Sequence, residues 1–201
     1  MRTRWVGTGL LVVISAPSGG GKTTVIRALR KRRPEFWYSI SVTTRARRRG
    51  ERSGVHYKFV SPEEFAAIRR VGALVEWARV HDHYYGTQRT DLERARRAGR
   101  VLLFDIDVQG AAALRRSEPD VVSIFLLPPS FAVLRQRLIQ RHSEGTRERA
   151  KRLETARQEL ERCSEYEYLV TNDSLSICVS DCESIIRAEL LRRERQHVRR
   201  F

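Results

Sequence analysis

Apolar residues run without a break from Leu10 to Ile14 and stop at Ser15. Similar runs recur at 100–107 (RVLLFDID), 121–127 (VVSIFLL) and 166–172 (YEYLVTN). Between and after them the spacing becomes helical, over 22–32, 88–98, 130–141, 147–163 and 181–198. In the fourth of these, Leu153, Ala156, Leu160 and Cys163 stand at i, i+3, i+7 and i+10, one face of a helix. Continuous apolar strands alternating with helices predict an α/β fold, a parallel sheet covered on both faces.

Residues 38–86 break that rhythm. They hold short alternating pieces, VHYKFV (55–60) and ALVEWARV (73–80), around a helix over 62–70 that begins at a proline. A small mixed α+β insertion is expected there. The polar stretch 142–151, HSEGTRERAK, reads as a flap between two helices. The expected organisation is core over 1–37, insertion over 38–86, core over 87–136, a mobile lid over 137–156, and core with a C-terminal helix over 157–201.

A chain of 201 residues with 41% hydrophobic content suits one compact unit with a real core. Its formal charge of +15 adds a constraint on partners. Of 39 basic residues only Lys22, Lys31, Lys58 and Lys151 are lysines, and the rest are arginine. Such a balance favours polyanions: nucleic acid, an acidic membrane or phosphorylated small molecules. The 3 cysteines, Cys163, Cys178 and Cys182, form no C-x-x-C and come late, which argues against a disulfide scaffold or zinc ribbon. Cys178 and Cys182 are expected to pack as small apolar residues. Arg2 and Arg4 ahead of an apolar run have the look of a secretory leader. That run is short, however, and leads straight into glycines, so it is read as a buried strand. No segment approaches the ~20 apolar residues of a membrane span. A soluble, cytoplasmic protein without a membrane partner is expected.

After the first strand comes ISAPSGGGKTT (14–24), which meets G-x-x-x-x-G-K-[ST] at Gly21, Lys22 and Thr23 with Ala16 in the first glycine position. The loop of Ala16, Pro17, Ser18, Gly19, Gly20 and Gly21 would wrap a phosphate, its glycines letting backbone N–H groups point inward, helped by the positive end of the helix from residue 22. Lys22 would reach the β- and γ-phosphates, and the Thr23 hydroxyl would ligate Mg²⁺. Strand, loop and helix in that order make this a nucleoside-triphosphate loop, with Thr24 just beyond it.

The stretch 39–57, SISVTTRARRRGERSGVHY, follows closely. Taken alone it is a solvated basic loop or an RNA-binding patch. Yet Ser41, Thr43 and Thr44 are interleaved with Arg45 and Arg48, and Tyr57 follows, a set suited to gripping a terminal phosphate. Asp105 and Asp107 end a buried strand, at the sheet edge where open α/β folds bind ligands. Asp105 could also cap the helix expected near 108–116. His81 and His83 alternate like strand residues and lack a third ligand, which argues against a metal site.

The pattern S-x-T-T-R-x-x-R-x-G-E-x-x-G-x-x-Y-x-F, from Ser41 to Phe59, resembles the monophosphate segment of guanylate kinases. ALVEWARV, YYGT (84–87), DIDVQG (105–110) and YEYLVTND (166–173) resemble further blocks of that family, in order, so that the likeness spans about 9–195. It implies a P-loop kinase that transfers the γ-phosphoryl of ATP to GMP, with dGMP as a second acceptor to test, and with Mg²⁺. By the same resemblance Ser41, Arg45, Arg48, Tyr57 and Tyr85 hold the GMP phosphate, and Glu76, Thr87 and Asp107 read guanine. Asn172 joins the ATP side, Asp105 organises Mg²⁺ or its waters, and Arg137, Arg141 and Arg152 close as a lid. Two other readings stand beside the enzyme. One is a catalytically silent module of the same fold that docks a phosphopeptide or protein. The other is a nucleic-acid role for the tail RRERQHVRRF, disfavoured because so many arginines have places in the phosphate pattern.

The lid departs from the family, with His142 where glycine is common and Thr146–Arg147 where an acidic pair is common. Exchanging acids for a cation beside the lid arginines raises their mutual repulsion in the empty site, which bound nucleotide then relieves. Activity is therefore expected to be salt-sensitive: the KM for ATP should change with ionic strength between 0.05 and 0.5 M, on the order of a Debye length of 14 to 4 Å. A KM flat across that titration counts against the idea.

Overall fold

The computed structural model describes residues 9–80, 82–139 and 146–195. In chain order the elements are β1 (Leu11–Ser15), α1 (Lys22–Arg32), β2 (Trp37–Tyr38), β3 (Val42–Thr43), β4 (Lys58–Phe59), α2 (Pro62–Arg70), β5 (Leu74–Val80) and β6 (His83–Gln88). Then come α3 (Arg89–Arg97), β7 (Leu102–Asp105), α4 (Val108–Ser117), β8 (Val122–Leu127), α5 (Phe131–Ile139), α6 (Thr146–Glu161), β9 (Tyr168–Thr171) and α7 (Leu175–Leu190).

Five strands, ordered β2-β7-β1-β8-β9, form a sheet in which every pairing is parallel. Its residues alternate between two dry layers, which is why its strands read as unbroken apolar runs. Val12 and Ile14 pack with Leu103 and Ile124 against Val25, Ile26 and Leu29 of α1 and Cys178, Cys182 and Ile186 of α7. Leu11 and Val13 pack with Phe104 and Phe125 against Leu92 and Ala95 of α3 and Ala111 and Leu114 of α4. The fold is the predicted α/β class. Cys178 and Cys182 are free thiols with no exposure, packed as expected.

A second sheet, β4-β3-β6-β5, combines one parallel pairing with two antiparallel ones and carries α2. Its small core is Val42, Phe65 and Leu74. The start of α2 follows from its sequence: Ser61 accepts from the Glu64 N–H, Glu64 accepts from the Ser61 N–H at 2.7 Å, and Pro62 takes the first turn.

Several boundaries differ from the sequence expectation. The last helix starts at Leu175, behind an N-cap at Ser174, and ends at Leu190, so it is displaced from 181–198. Its first turn exposes Leu175 and Ile177, 41% and 61%, and that hides the amphipathic pattern. Arg193–Arg195 is a short 3-10 turn, held because Glu189 meets Arg192 and Arg195 at 3.5 and 3.6 Å. The helix expected over 130–141 is α5 up to Ile139, and the rest of that span lies outside the described residues. The fourth expected strand shortens to β9, preceded by a 3-10 turn over Arg162–Glu165. Among the described residues, no helix is long and apolar enough to cross a membrane.

Removing the α2 cap with Ser61→Ala should cost about 1 kcal/mol. In a chain of this size that lowers the thermal midpoint by about 2–4 °C, read by differential scanning calorimetry. An unchanged midpoint would mean that α2 contributes nothing to cooperative unfolding.

Candidate active site

The parallel register sets the site. Ile14 pairs with Asp105 and Ser15 with Phe125, so the loop leaving β1 opens beside the carboxyl end of β7. Ala16 is 6% exposed and belongs to the core layer beneath the loop, where a methyl group is an asset. Gly21 is the N-cap of α1 at φ 90°, a left-handed conformation that glycine adopts without strain. A Cβ there would also lie 2.5 Å from Nδ2 of Asn172. Asn172 leaves β9 and donates that amide to the Gly20 carbonyl at 2.8 Å, while its backbone carbonyl accepts from Arg137 at 3.2 Å. Gly19, Gly21, Thr24, Arg137 and Asn172 line one groove.

Lys22 Nζ stands 3.0 Å from Asp105 Oδ1 and donates to the Ile106 carbonyl at 2.7 Å. That carbonyl also accepts from Ser15 Oγ at 3.0 Å. Burial works to lower the lysine's pKa, but Asp105, reinforced by Asp107, holds it above its ordinary value. The other oxygen of Asp105 accepts from the Tyr38 hydroxyl at 3.4 Å. Burial, with the Asp105 charge behind it, pushes the Tyr38 phenol up, so Tyr38 stays a donor. Thr23 lines the same space as Asp105. The helix cap proves to be Asp107 instead, which accepts from the Gly110 N–H at 2.8 Å and leaves Asp105 for the lysine.

The second sheet supplies the opposite wall. A bulge in β5 sets Leu74 opposite Gln88 and Glu76 opposite Thr87, with Val75 the extra residue. Glu76 thereby turns inward, 5% exposed, and accepts from the Thr87 hydroxyl at 2.5 Å through Oε1. Oε2 faces Gly110, where an added Cβ would approach it to 3.2 Å. Burial raises the Glu76 pKa to about 7, with Thr87 opposing and Asp107 adding to the rise. Arg45 pairs with Glu51 at 2.7 Å and lies over the Tyr57 ring at 5.4 Å from its centroid. Glu51 also accepts from the Arg48 N–H at 2.8 Å. The hydrogen bond from Arg45 is the main reason its carboxyl titrates below the usual range. Tyr85 stacks edge-on to Tyr57.

Ser18, Lys22, Thr23, Ser41, Arg48, Tyr57, Glu76, Tyr85, Asp105, Asp107 and Gly110 line one cavity of ≈ 350 Å³. The guanylate kinase family model matches residues 8–189. The chain belongs to the guanylate kinase family. It is 49% identical over 189 residues to a guanylate kinase of Rhizobium meliloti (strain 1021), covering 94% of this chain and 86% of that one. It is 49% identical over 187 residues to one from Syntrophotalea carbinolica, covering 93% and 89%. The crystal structure of guanylate kinase from Anaplasma phagocytophilum superposes with a TM-score of 0.81 at 34% identity, over 96% of this chain and 92% of that one.

Several contacts in this guanylate-kinase cavity went unassigned in the sequence. Tyr38 gave no signal at all, since its partner lies 67 positions away. Glu51 and Gly110 stood inside the quoted R-x-G-E and DIDVQG patterns without a role. Arg152 sits on α6, and Arg141, expected beside it in the lid, lies outside the described residues together with His81 and His142. The side chains of Thr146 and Arg147 are likewise outside the described set. His83 is on β6, and among the described residues no cluster of three or more His, Cys, Asp or Glu is placed to hold a metal ion.

The Glu76 carboxyl, ordinarily at 4.5, binds its proton more tightly folded than unfolded. Between about pH 4.5 and 7 the native state is the more protonated one, so this group's contribution to stability declines as pH rises through that window. Above it the buried charge costs on the order of 3 kcal/mol. Glu76→Gln keeps the acceptor for Thr87 and removes the charge. Its melting point should exceed wild type at pH 8 and converge with it at pH 5. Parallel melting curves at both pH values would overturn that assignment.

Proposed function

We propose that this protein transfers the γ-phosphoryl group of ATP to GMP, giving ADP and GDP. The observation that carries the reading is the cavity that joins Lys22 after the phosphate loop, Asp105 at the end of β7 and Asp107 at the cap of α4 to Glu76 of the opposite wall. Guanine presents N1–H and an exocyclic amine side by side, and Glu76 Oε2 and Asp107 are acceptors suited to both. Thr87 fixes the Glu76 carboxylate. Adenine lacks that donor pair, and sites built on buried polar pairing discriminate by ~10⁴ or more. Ser41, Arg45, Arg48, Tyr57 and Tyr85 take the GMP phosphate, with Glu51 orienting the Arg45 fork.

ATP lies along the loop from Ala16 to Thr24, with Asn172 and Arg137 on its far side. The Thr23 hydroxyl and the Asp105 carboxylate are hard oxygen donors lining one space, and they fit Mg²⁺ shared with the phosphates. Mg²⁺ supplies charge neutralisation on the transferring oxygens. A GMP phosphate oxygen attacks the γ-phosphorus, the bond to the β–γ bridging oxygen breaks, and ADP departs. No general base is needed, because that phosphate is largely ionised at neutral pH, its second pKa being ~6. Catalysis is positioning and charge stabilisation by Lys22 and the arginines Arg137, Arg141 and Arg152 of the lid.

A coupled assay of ADP formation with Mg-ATP and each of GMP, dGMP, AMP, UMP and CMP tests this. Turnover is expected with guanine acceptors alone. It should be lost in Lys22→Ala and weakened by about 100-fold in kcat/KM for GMP in Glu76→Ala. Folded protein that binds GMP without turning it over would instead favour the docking module.

A further inference from the structure

Glu159 lies outside every role assigned above, yet it reaches the phosphate loop. Its Oε2 accepts the backbone N–H of Ser18 at 2.7 Å, across 141 residues of chain. It projects from the last turn of α6, the helix that carries Arg152 near its middle. Arg152 and Glu159 are seven residues apart, two full turns, and so share one face. Between them on that face lies Ala156, with no exposure, packed with Leu134 and Leu138 of α5. The same two leucines close over the loop from the other side: a Cβ on Gly19 would lie 2.8 Å from Leu138 and 3.4 Å from Leu134. The α5–α6 pair thus grips the loop at two neighbouring points, an apolar one at Gly19 and a charged-acceptor one at Ser18.

The apolar contact fixes how close the helices sit, but small side chains set rotation poorly. A hydrogen bond to a carboxylate is directional and short, and holds one angle. From this we infer that Glu159 is a positioning residue that pins the rotation of α6 about its own axis and so aims Arg152 at the transferring phosphoryl group. The inference rests on the kinase reading given above. Burial, chiefly, raises the Glu159 pKa, with Asp107 adding and Lys22 and the Ser18 N–H opposing, so its charge is felt at the loop lysine.

Three variants test the pin: Glu159→Ala, Glu159→Gln and Arg152→Ala, the first two also combined with the third. Misaiming a group at the reacting centre costs roughly 10- to 100-fold in kcat. Glu159→Ala should show that loss with a GMP KM within about twofold of wild type. Glu159→Gln, which still offers an oxygen to Ser18, should recover most of it. In the Arg152→Ala background neither change should lower kcat much further, because the residue they act through is gone. Glu154→Ala, an exposed carboxylate on the same helix, serves as the unaffected control.

Wild-type rates for both Glu159 variants overturn the inference. So does a Gln variant no better than Ala, or an Ala loss that adds in full to that of Arg152→Ala. If Glu159→Ala fails to fold, the Ser18 amide proton decides. It should resonate downfield in the wild type and move upfield in Glu159→Gln, and a resonance that stays put sinks the contact. Absence of wild-type turnover would condemn the kinase reading separately, and the Ser18 resonance would still test the pin.

Discussion

Ile14 pairs with Asp105 in a parallel ladder, and the chemistry of the molecule hangs on that register. It brings the glycine loop after β1 and the acid at the end of β7 to one sheet edge, so that Lys22 meets Asp105 from 83 positions away in sequence. A slip of one residue would turn Asp105 into the opposite layer, among Leu92, Ala95 and Leu114. Slippage is opposed on both faces, because Leu103 and Phe104 each bury completely in opposite layers. The core thus fixes a lysine–carboxylate contact that contributes little to the core itself. Tyr38, from the short edge strand beyond β7, completes the arrangement by donating to the second oxygen of that acid.

The opposite wall works against stability where the first wall works with it. A bulge puts Glu76 inside, and one hydroxyl does not compensate for the water it has lost. Its proton affinity records that deficit. A guanine in the cavity would bring donors to the acceptor that lacks them. The cost of the empty state and the selectivity of the filled one then have a common origin, an acceptor held ready with too few partners.

The long strands were legible in the sequence because both their faces are dry, and burial on two sides leaves an uninterrupted apolar signature. The glycine loop was legible because backbone wrapped around phosphate restricts residue type at fixed spacing. Two-residue strands such as β2 and β3 were not, since two positions carry no period. The first turn of α7 was missed because its apolar residues face outward. The bulge at Val75 has no local signature, so Glu76 entered the site through its likeness to a family block and not through alternation. Glu51, Gly110 and Tyr38 act through partners distant in space or through the room they leave, and neither property is written in the types of their neighbours.

Asn172 and Gly21 compete for one volume beside the loop. The amide of Asn172 fills the space that a side chain at residue 21 would need, and at the same time holds the loop through Gly20. A side chain at residue 21 therefore needs a smaller residue at 172, and a smaller residue there gives up the amide that holds Gly20 while the backbone carbonyl still accepts from Arg137. The space for a side chain at residue 21 is thus opened only by removing the amide that holds the loop at Gly20. Two sites separated by most of the chain are coupled through one amide.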